Sequence, residues 1–277
     1  MNNWPDLYRD IREIKVLIRG AGELATGVAH RLFRSGFRLC MTEISGPLAV
    51  RRAVSFCEAV YDGAMKVEGV TAVKVGSPKE IEGAWEKGEI PLLIDPANKV
   101  KDVLRPHVVV DAILAKKNIG TEICDAPLVL GLGPGFTANQ DVHVVIETNR
   151  GHDLGRLIFR GQAEADTGVP GVIGGYGIER VLRTPQAGIF HAVKMIGDTV
   201  AKGDVVASVD GAPMHAQING VVRGLLRDGM VVSANLKSGD IDPRGKREAC
   251  FTISDKARAL GGAVLEAILS QLPARIS

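Results

Sequence analysis

Residues 15–35, KVLIRGAGELATGVAHRLFRS, decide the fold of the first half of the chain. The apolar run at 15–18 has the length of a buried strand. It feeds straight into Arg19-Gly20-Ala21-Gly22, and a helical pattern follows as far as Ser35, where Gly36 ends it. Gly20, Gly22 and Ala25 fit the spacing G-x-G-x-x-G/A. In that pattern the first residue allows a tight turn, the second lets a pyrophosphate approach the backbone, and the third lets helix and strand pack closely. Free amides at the start of the helix suit an anion. Arg19 stands where an apolar residue is usual, and its guanidinium fork suits phosphate or carboxylate. A second strand at 37–44, FRLCMTEI, carries Glu43 about twenty residues past the glycines, the spacing for a carboxylate on a ribose hydroxyl.

The alternation continues outward from this unit. Strands are predicted at 70–75, 91–95 and 107–112, with helices at 78–87 and 99–104 between them. Arg51 and Arg52 open a further helix, to about Glu58, as phosphate ligands or surface charges. Strand–helix alternation implies a doubly wound parallel sheet, so the N-terminal domain is expected to be Rossmann-like. Asp95 and Asp111 each close a strand, either at a ligand crevice or as a cap for the residues that follow.

Residues 131–156, GLGPGFTANQDVHVVIETNRGHDLGR, hold the densest polar chemistry. Gly133 and Gly135 flank Pro134 in a loop whose bare backbone suits an approaching anion. Counting by twos places Asp141, His143, Val145 and Glu147 on one strand face, with Val142, Val144 and Ile146 on the core side. His152 lies just past the turn at 149–151, ahead of the hairpin's return strand, expected at 154–160. These residues are open to three readings: an acid–base cluster on a bound substrate, ligands of a divalent ion, or a structural polar network. The catalytic candidates are therefore Asp141, His143, Glu147 and His152. The ligand-binding candidates are Arg19, Gly20, Gly22, Ala25, Glu43, Gly133 and Gly135. The glycine-rich stretch 161–177 reads as a long connection or a lid.

From Arg183 the pattern changes to short strands and regular turns. IGDTVAKGDVVASV and INGVVRGLLRDGMVVSANLKSGD resemble the two halves of a biotinyl/lipoyl-type barrel-sandwich hybrid. The hairpin that would bear the modified lysine, DGAPM at 210–214, contains none, so covalent biotin or lipoate is not expected. KSGDIDPR at 237–244 gathers two carboxylates and two cations. A final amphipathic helix at about 255–272 is expected to pack back on the body. The organisation read from the sequence is a Rossmann-like nucleotide-binding domain over 1–120 and a glycine-rich connecting segment with the polar hairpin over 121–182. A barrel-sandwich-like β module over 183–246 and a C-terminal helical segment over 247–277 follow.

Composition narrows the function. The 277 residues are 45% hydrophobic and 24% charged, with 33 glycines and 4% aromatics. A net charge of +2 without Lys/Arg runs argues against a nucleic-acid partner. The four cysteines lack CxxC spacing and read as buried thiols rather than a zinc site or disulfide framework. The first residues lack an apolar leader and no stretch is long enough to cross a membrane, so a cytoplasmic protein is expected.

Several blocks carry a family resemblance: LIRGAGELATGVAHRLFRSGF (17–37), MTEISGPLAVRR (41–52), EAVYDG (58–63), VDAILAKKN (110–118), the GLGPGF…D-x-H…ET-x-RGH-x-LGR block, and KSGDIDPR. In order along nearly the whole chain, they resemble the YqeB family, accessory proteins named for selenium-dependent molybdenum hydroxylase systems. The resemblance implies a role in maturing such a hydroxylase or supplying its cofactor. The implied partners are the molybdenum hydroxylase or its maturation factors; the glycine turn and Glu43 themselves point to a nucleotide-type small molecule, NAD(P) or a molybdopterin-type dinucleotide. The alternatives are an NAD(P)-dependent oxidoreductase acting on a small anionic substrate and a non-enzymatic scaffold.

Overall fold

A computed structural model describes residues 10–271. The polar residues 1–9, and Leu272 at the expected end of the last helix, lie outside the described residues. The chain divides into two compact units. The first comprises the described residues to Pro47, Phe56–Asp166, and those from Ser254 onward; the second comprises Leu48–Ser55 and Thr167–Ile253.

Unit 1 is built on nine strands. In chain order they are β1 (Lys15–Arg19), β2 (Arg38–Glu43), β3 (Ala64–Val67), β4 (Val70–Lys74), β5 (Ile90–Ile94), β6 (Val108–Asp111), β7 (Leu128–Leu132), β8 (Val144–Ile146) and β9 (Leu157–Ile158). They lie in the order β3-β4-β5-β2-β1-β6-β7-β8-β9. The central strands run parallel, and Leu17, Ile18, Met41, Leu128 and Leu130 are fully buried among them. That matches the unbroken apolar runs expected of strands covered on both faces.

The expected Rossmann-like parallel sheet is corrected in two respects. The sheet is mixed, because β3 and β9 run antiparallel at its two edges. Helices are also too few for double winding. Among the described residues only α1 (Glu23–Arg34) is a full crossover helix, while α2 (Ala59–Asp62), α3 (Ile81–Glu86) and α4 (Val100–Leu104) run to fewer than two turns. The second long helix, α5 (Asp255–Gln271), comes from the far end of the chain and packs on α1. Glycine permits that crossing. A Cβ at Gly27 would lie 2.6 Å from the Ala257 Cβ, and one at Gly261 would lie 2.7 Å from the Gly27 carbonyl oxygen. The β3–β4 hairpin was missed because its turn is only Glu68-Gly69, with φ of 44° and 86°. Both residues are left-handed, as a two-residue hairpin loop of this kind requires. The helix expected from Arg51 to Glu58 is two 3-10 turns.

Unit 2 contains β10 (Val181–Arg183), β11 (Gly188–Ala192), β12 (Thr199–Val200), β13 (Val205–Val209), β14 (Ala212–His215), β15 (Gly220–Leu225), β16 (Val231–Val232) and β17 (Lys237–Asp242). They form two four-stranded sheets, β10-β17-β15-β12 and β14-β13-β11-β16, with antiparallel pairing throughout. Phe190, Val206, Val209, Val222, Leu225 and Ile241 form the core. The expected barrel-sandwich hybrid over 183–246 is corrected to these two sheets, which are not closed within that segment. Val181 and Leu182 enter β10, and residues from 48–55 complete the packing: the Leu225 N–H donates to the Val50 carbonyl at 2.8 Å. Gly224 is required there, since a Cβ would meet the Val50 backbone at 2.8 Å. The hairpin expected around 210–214 turns at Asp210-Gly211 and joins β13 to β14. Residues 161–177 carry only isolated bridges, such as Ile173–Tyr176.

Candidate functional site

The carboxyl ends of β1, β2, β6 and β7 bring most of the sequence-predicted ligand residues of unit 1 to one edge of the sheet. The glycine turn follows β1. Gly20 has φ of 92°, and a Cβ there would approach the Ala112 carbonyl at 3.1 Å, so both conformation and space demand glycine. Gly22 is the N-cap of α1, with no side-chain cap and nothing within 4 Å of where a Cβ would stand. The first turn of a twelve-residue helix therefore begins on open space, and early helix amides have no intrahelical acceptor. Ala25 is buried at the helix–strand contact, as the spacing requires.

Glu43 ends β2 against this turn. Its Oε2 accepts the Ala21 N–H at 2.9 Å, and its Oε1 accepts the Ile44 N–H at 2.9 Å. The Ala21 carbonyl in turn accepts from the Cys57 N–H at 2.8 Å, so the turn is held on both sides. The half-buried carboxylate raises the pKa of the Cys57 thiol, after burial, which is the larger cause.

Arg19 is placed differently from the sequence expectation. It lies directly across from Asp111 in the parallel register of β1 and β6, and both side chains are almost wholly buried. Arg19 Nη1 is 3.4 Å from Asp111 Oδ2 and also donates to Thr121 Oγ1, which donates to Asp111 Oδ2 at 2.6 Å. Asp111 Oδ1 takes the Ile113 N–H at 3.1 Å. The guanidinium is thus engaged by its own sheet rather than presented to a ligand, because a buried cation needs a carboxylate beside it. Thr121, in the connection between β6 and β7, had no local signal in the sequence; only the path of that connection brings it to Arg19. Asp95 serves as a cap, accepting the Val100 N–H at 2.7 Å.

The Gly-Pro-Gly loop is packed against protein. Gly133 and Gly135 have φ of 81° and 104°, and their Cβ positions would fall 2.6 Å from Thr148 Oγ1 and 2.5 Å from the Lys117 Cα. The Gly133 N–H donates to the Ile146 carbonyl at 2.9 Å. These glycines admit neighbouring chain where the sequence suggested an anion.

The polar residues that follow do not form one cluster. Only 144–146 are strand, and Val145 is as buried as its neighbours, so the expected alternation of faces is absent. Asp141 Oδ2 accepts the Thr137 N–H at 2.7 Å. His143 Nδ1 accepts the Val129 N–H at 3.0 Å, and burial lowers its pKa. Glu147 is buried and accepts the Asn149 N–H at 2.6 Å and the Glu164 N–H at 2.8 Å. His152 is exposed. Each of the first three side chains closes a loop through backbone amides, and among the described residues no group of three His, Cys, Asp or Glu is arranged to hold a metal ion. A separate open cleft of about 540 Å³ lies at the amino ends of β6 and β7, lined by Arg105, Cys124, Pro127 and the Lys101–Asp125 ion pair. Among the described residues, no helix is long and apolar enough to cross a membrane.

No family model matches the chain. Among solved structures, it is similar to an aspartoacylase family protein from Mesorhizobium loti (14% identity, 82% of this chain and 84% of that one, TM-score 0.27). It is also similar to TcdA (CsdL), at 12% identity over 95% and 93% of the two chains, TM-score 0.30. Likenesses this slight carry no argument about fold or chemistry. A curated relative, uncharacterized protein YqeB of Escherichia coli (strain K12), is 51% identical over 254 residues, 92% of this chain. The match spans 47% of that relative, so the chain corresponds to about half its length. On this identity, sustained over nearly all of its residues, the chain belongs to the YqeB family.

Proposed function

We propose that this chain is an accessory protein that acts in the cytoplasm in maturing, or supplying cofactor to, a selenium-dependent molybdenum hydroxylase. In this reading it binds a nucleotide or dinucleotide at the carboxyl edge of the unit 1 sheet. The observation that carries the ligand reading is the start of α1: a glycine N-cap without a side-chain cap, open space beside Gly22, and Glu43 held against the same turn. The helix amides suit a phosphate, and the half-buried Glu43 carboxylate suits a ribose hydroxyl. Arg19 supports the site from beneath by holding the ends of β1 and β6 together. The engagement of Asp141, His143 and Glu147 with backbone amides weighs against an oxidoreductase that needs a free acid–base pair.

Gly22 provides the test. Its φ of −67° suits any residue, so Gly22→Val is expected to fold normally while covering the first amides of α1. Nucleotide affinity should fall at least tenfold with the melting temperature unchanged. Undiminished affinity in a folded Gly22→Val protein would contradict the site.

A further inference from the structure

The segment KSGDIDPR forms β17 and its exit, and in unit 2 it gathers guanidinium groups that the reading above does not use. Asp240 and Asp242 are buried, and each has a close partner. Arg180 Nη1 donates to Asp240 Oδ1, and Arg244 grips Asp242 through Nε to Oδ1 at 2.9 Å and Nη2 to Oδ2 at 2.6 Å. Arg223, on the adjacent β15, is equally buried but is left over. Its Nη1 is 3.9 Å from Asp240 Oδ2, its Nε is 3.7 Å from Asp242 Oδ2, and Nε finds no hydrogen-bond partner among the described residues. Arg51 lies beside the same cluster, with Nη2 on the carbonyls of Ala249 and Thr252 at 3.0 and 3.1 Å, and Lys237 adds another cation near Asp240.

Asp240 and Asp242 therefore face three guanidiniums, those of Arg180, Arg223 and Arg244. A buried guanidinium without a matched acceptor is unfavourable unless something supplies the missing charge. The separations of 3.7–3.9 Å exceed a hydrogen bond, so the two carboxylates do not saturate the Arg223 fork. Arg244 is half exposed, which leaves one side of the cluster open to solvent.

We propose that unit 2 binds a phosphate group, free or carried by a small molecule, at Arg223, with Arg180 and Arg244 flanking it. A doubly charged tetrahedral oxyanion suits the site better than a monocarboxylate, because it must outweigh repulsion from Asp240 and Asp242 while satisfying a guanidinium fork. The proposal rests on unit 2 alone and stands whether or not unit 1 binds a nucleotide.

The test is calorimetric titration of the full chain with inorganic phosphate, with a nucleoside monophosphate and with acetate, at constant ionic strength. Phosphate is expected to bind at millimolar concentration or below while acetate does not. Tighter binding of the monophosphate, persisting in Gly22→Val, would assign a carried phosphate to this site; equal binding would assign the free ion. Arg223→Gln, shown to be folded by circular dichroism, should lose at least tenfold in phosphate affinity. Should that variant not fold, the arginine Nε–H region of an ¹⁵N spectrum of the unaltered protein replaces it: one resonance should move on adding phosphate and stay still with acetate. No phosphate binding, binding undiminished in Arg223→Gln, or an unmoved Nε–H spectrum would overturn the proposal.

Discussion

Replacing Arg19 by methionine separates a structural from a ligand-binding role for that residue. The Arg19 and Asp111 side chains are 4% and 2% exposed, so the change strands a carboxylate in a dry environment. Breaking a buried ion pair by removing one partner destabilises by about 3–5 kcal/mol. Asp111 would keep the Thr121 hydroxyl and the Ile113 amide, which places the expected loss near the lower end, about 3 kcal/mol. That is a large share of the roughly 5–15 kcal/mol that holds a domain together. In Arg19→Met/Asp111→Asn no buried charge is unmatched, and the double variant should recover about 2 kcal/mol of the loss. Urea unfolding at pH 7 followed by far-ultraviolet circular dichroism reads both effects. A loss under about 1 kcal/mol in Arg19→Met, or a double variant no more stable than the single one, would refute the buried-pair reasoning.

Three further outcomes are expected. Gly27→Ala should destabilise by about 1–3 kcal/mol through overpacking against Ala257, partly offset by helix propensity, whereas Gly83→Ala in the open α3 should be neutral or slightly stabilising; thermal denaturation of both distinguishes a tight crossing from a loose one. His107 and His143 each accept a backbone N–H at Nδ1, from Lys15 and Val129, and burial lowers both pKa values. The unfolded chain therefore binds more protons, so this stability is complete above about pH 6.5 and is lost as pH falls below it; His143→Asn, which keeps an acceptor, should flatten the pH dependence of urea unfolding. Cys124 is exposed while Cys40, Cys57 and Cys250 are buried, so Ellman's reagent should titrate one thiol in the native protein and four in denaturant.

The parts of the fold that depend on local pattern were legible in the sequence. The apolar runs became the central strands β1, β2, β5 and β6, and the glycine turn leads into α1 as the spacing requires. What depends on distant pairing was not legible. The β3–β4 hairpin hid in Glu68-Gly69 because glutamate rarely signals a left-handed turn. The mixed character of the sheet follows in part from that hairpin; the other antiparallel edge, β9, is the expected return strand at 154–160, shortened to two residues. Similarly, Arg19 reads as a ligand clamp only until β6 places Asp111 opposite it. The strand-face count at 141–147 failed because strand begins only at Val144, and the preceding residues belong to a loop whose side chains satisfy backbone amides. In unit 2, Val50 and Gly224 meet across 174 positions of sequence, a contact that no periodicity marks.

The most direct measurement is native mass spectrometry of freshly purified protein, combined with a thermal-shift series of CMP, CTP, NAD(H) and NADP(H). A bound pterin or cytidine species, or selective stabilisation by a cytidine nucleotide that disappears in Gly22→Val, is the expected result. Stabilisation by NAD(H) alone, or by no nucleotide at all, would contradict a cofactor-supply role at the start of α1.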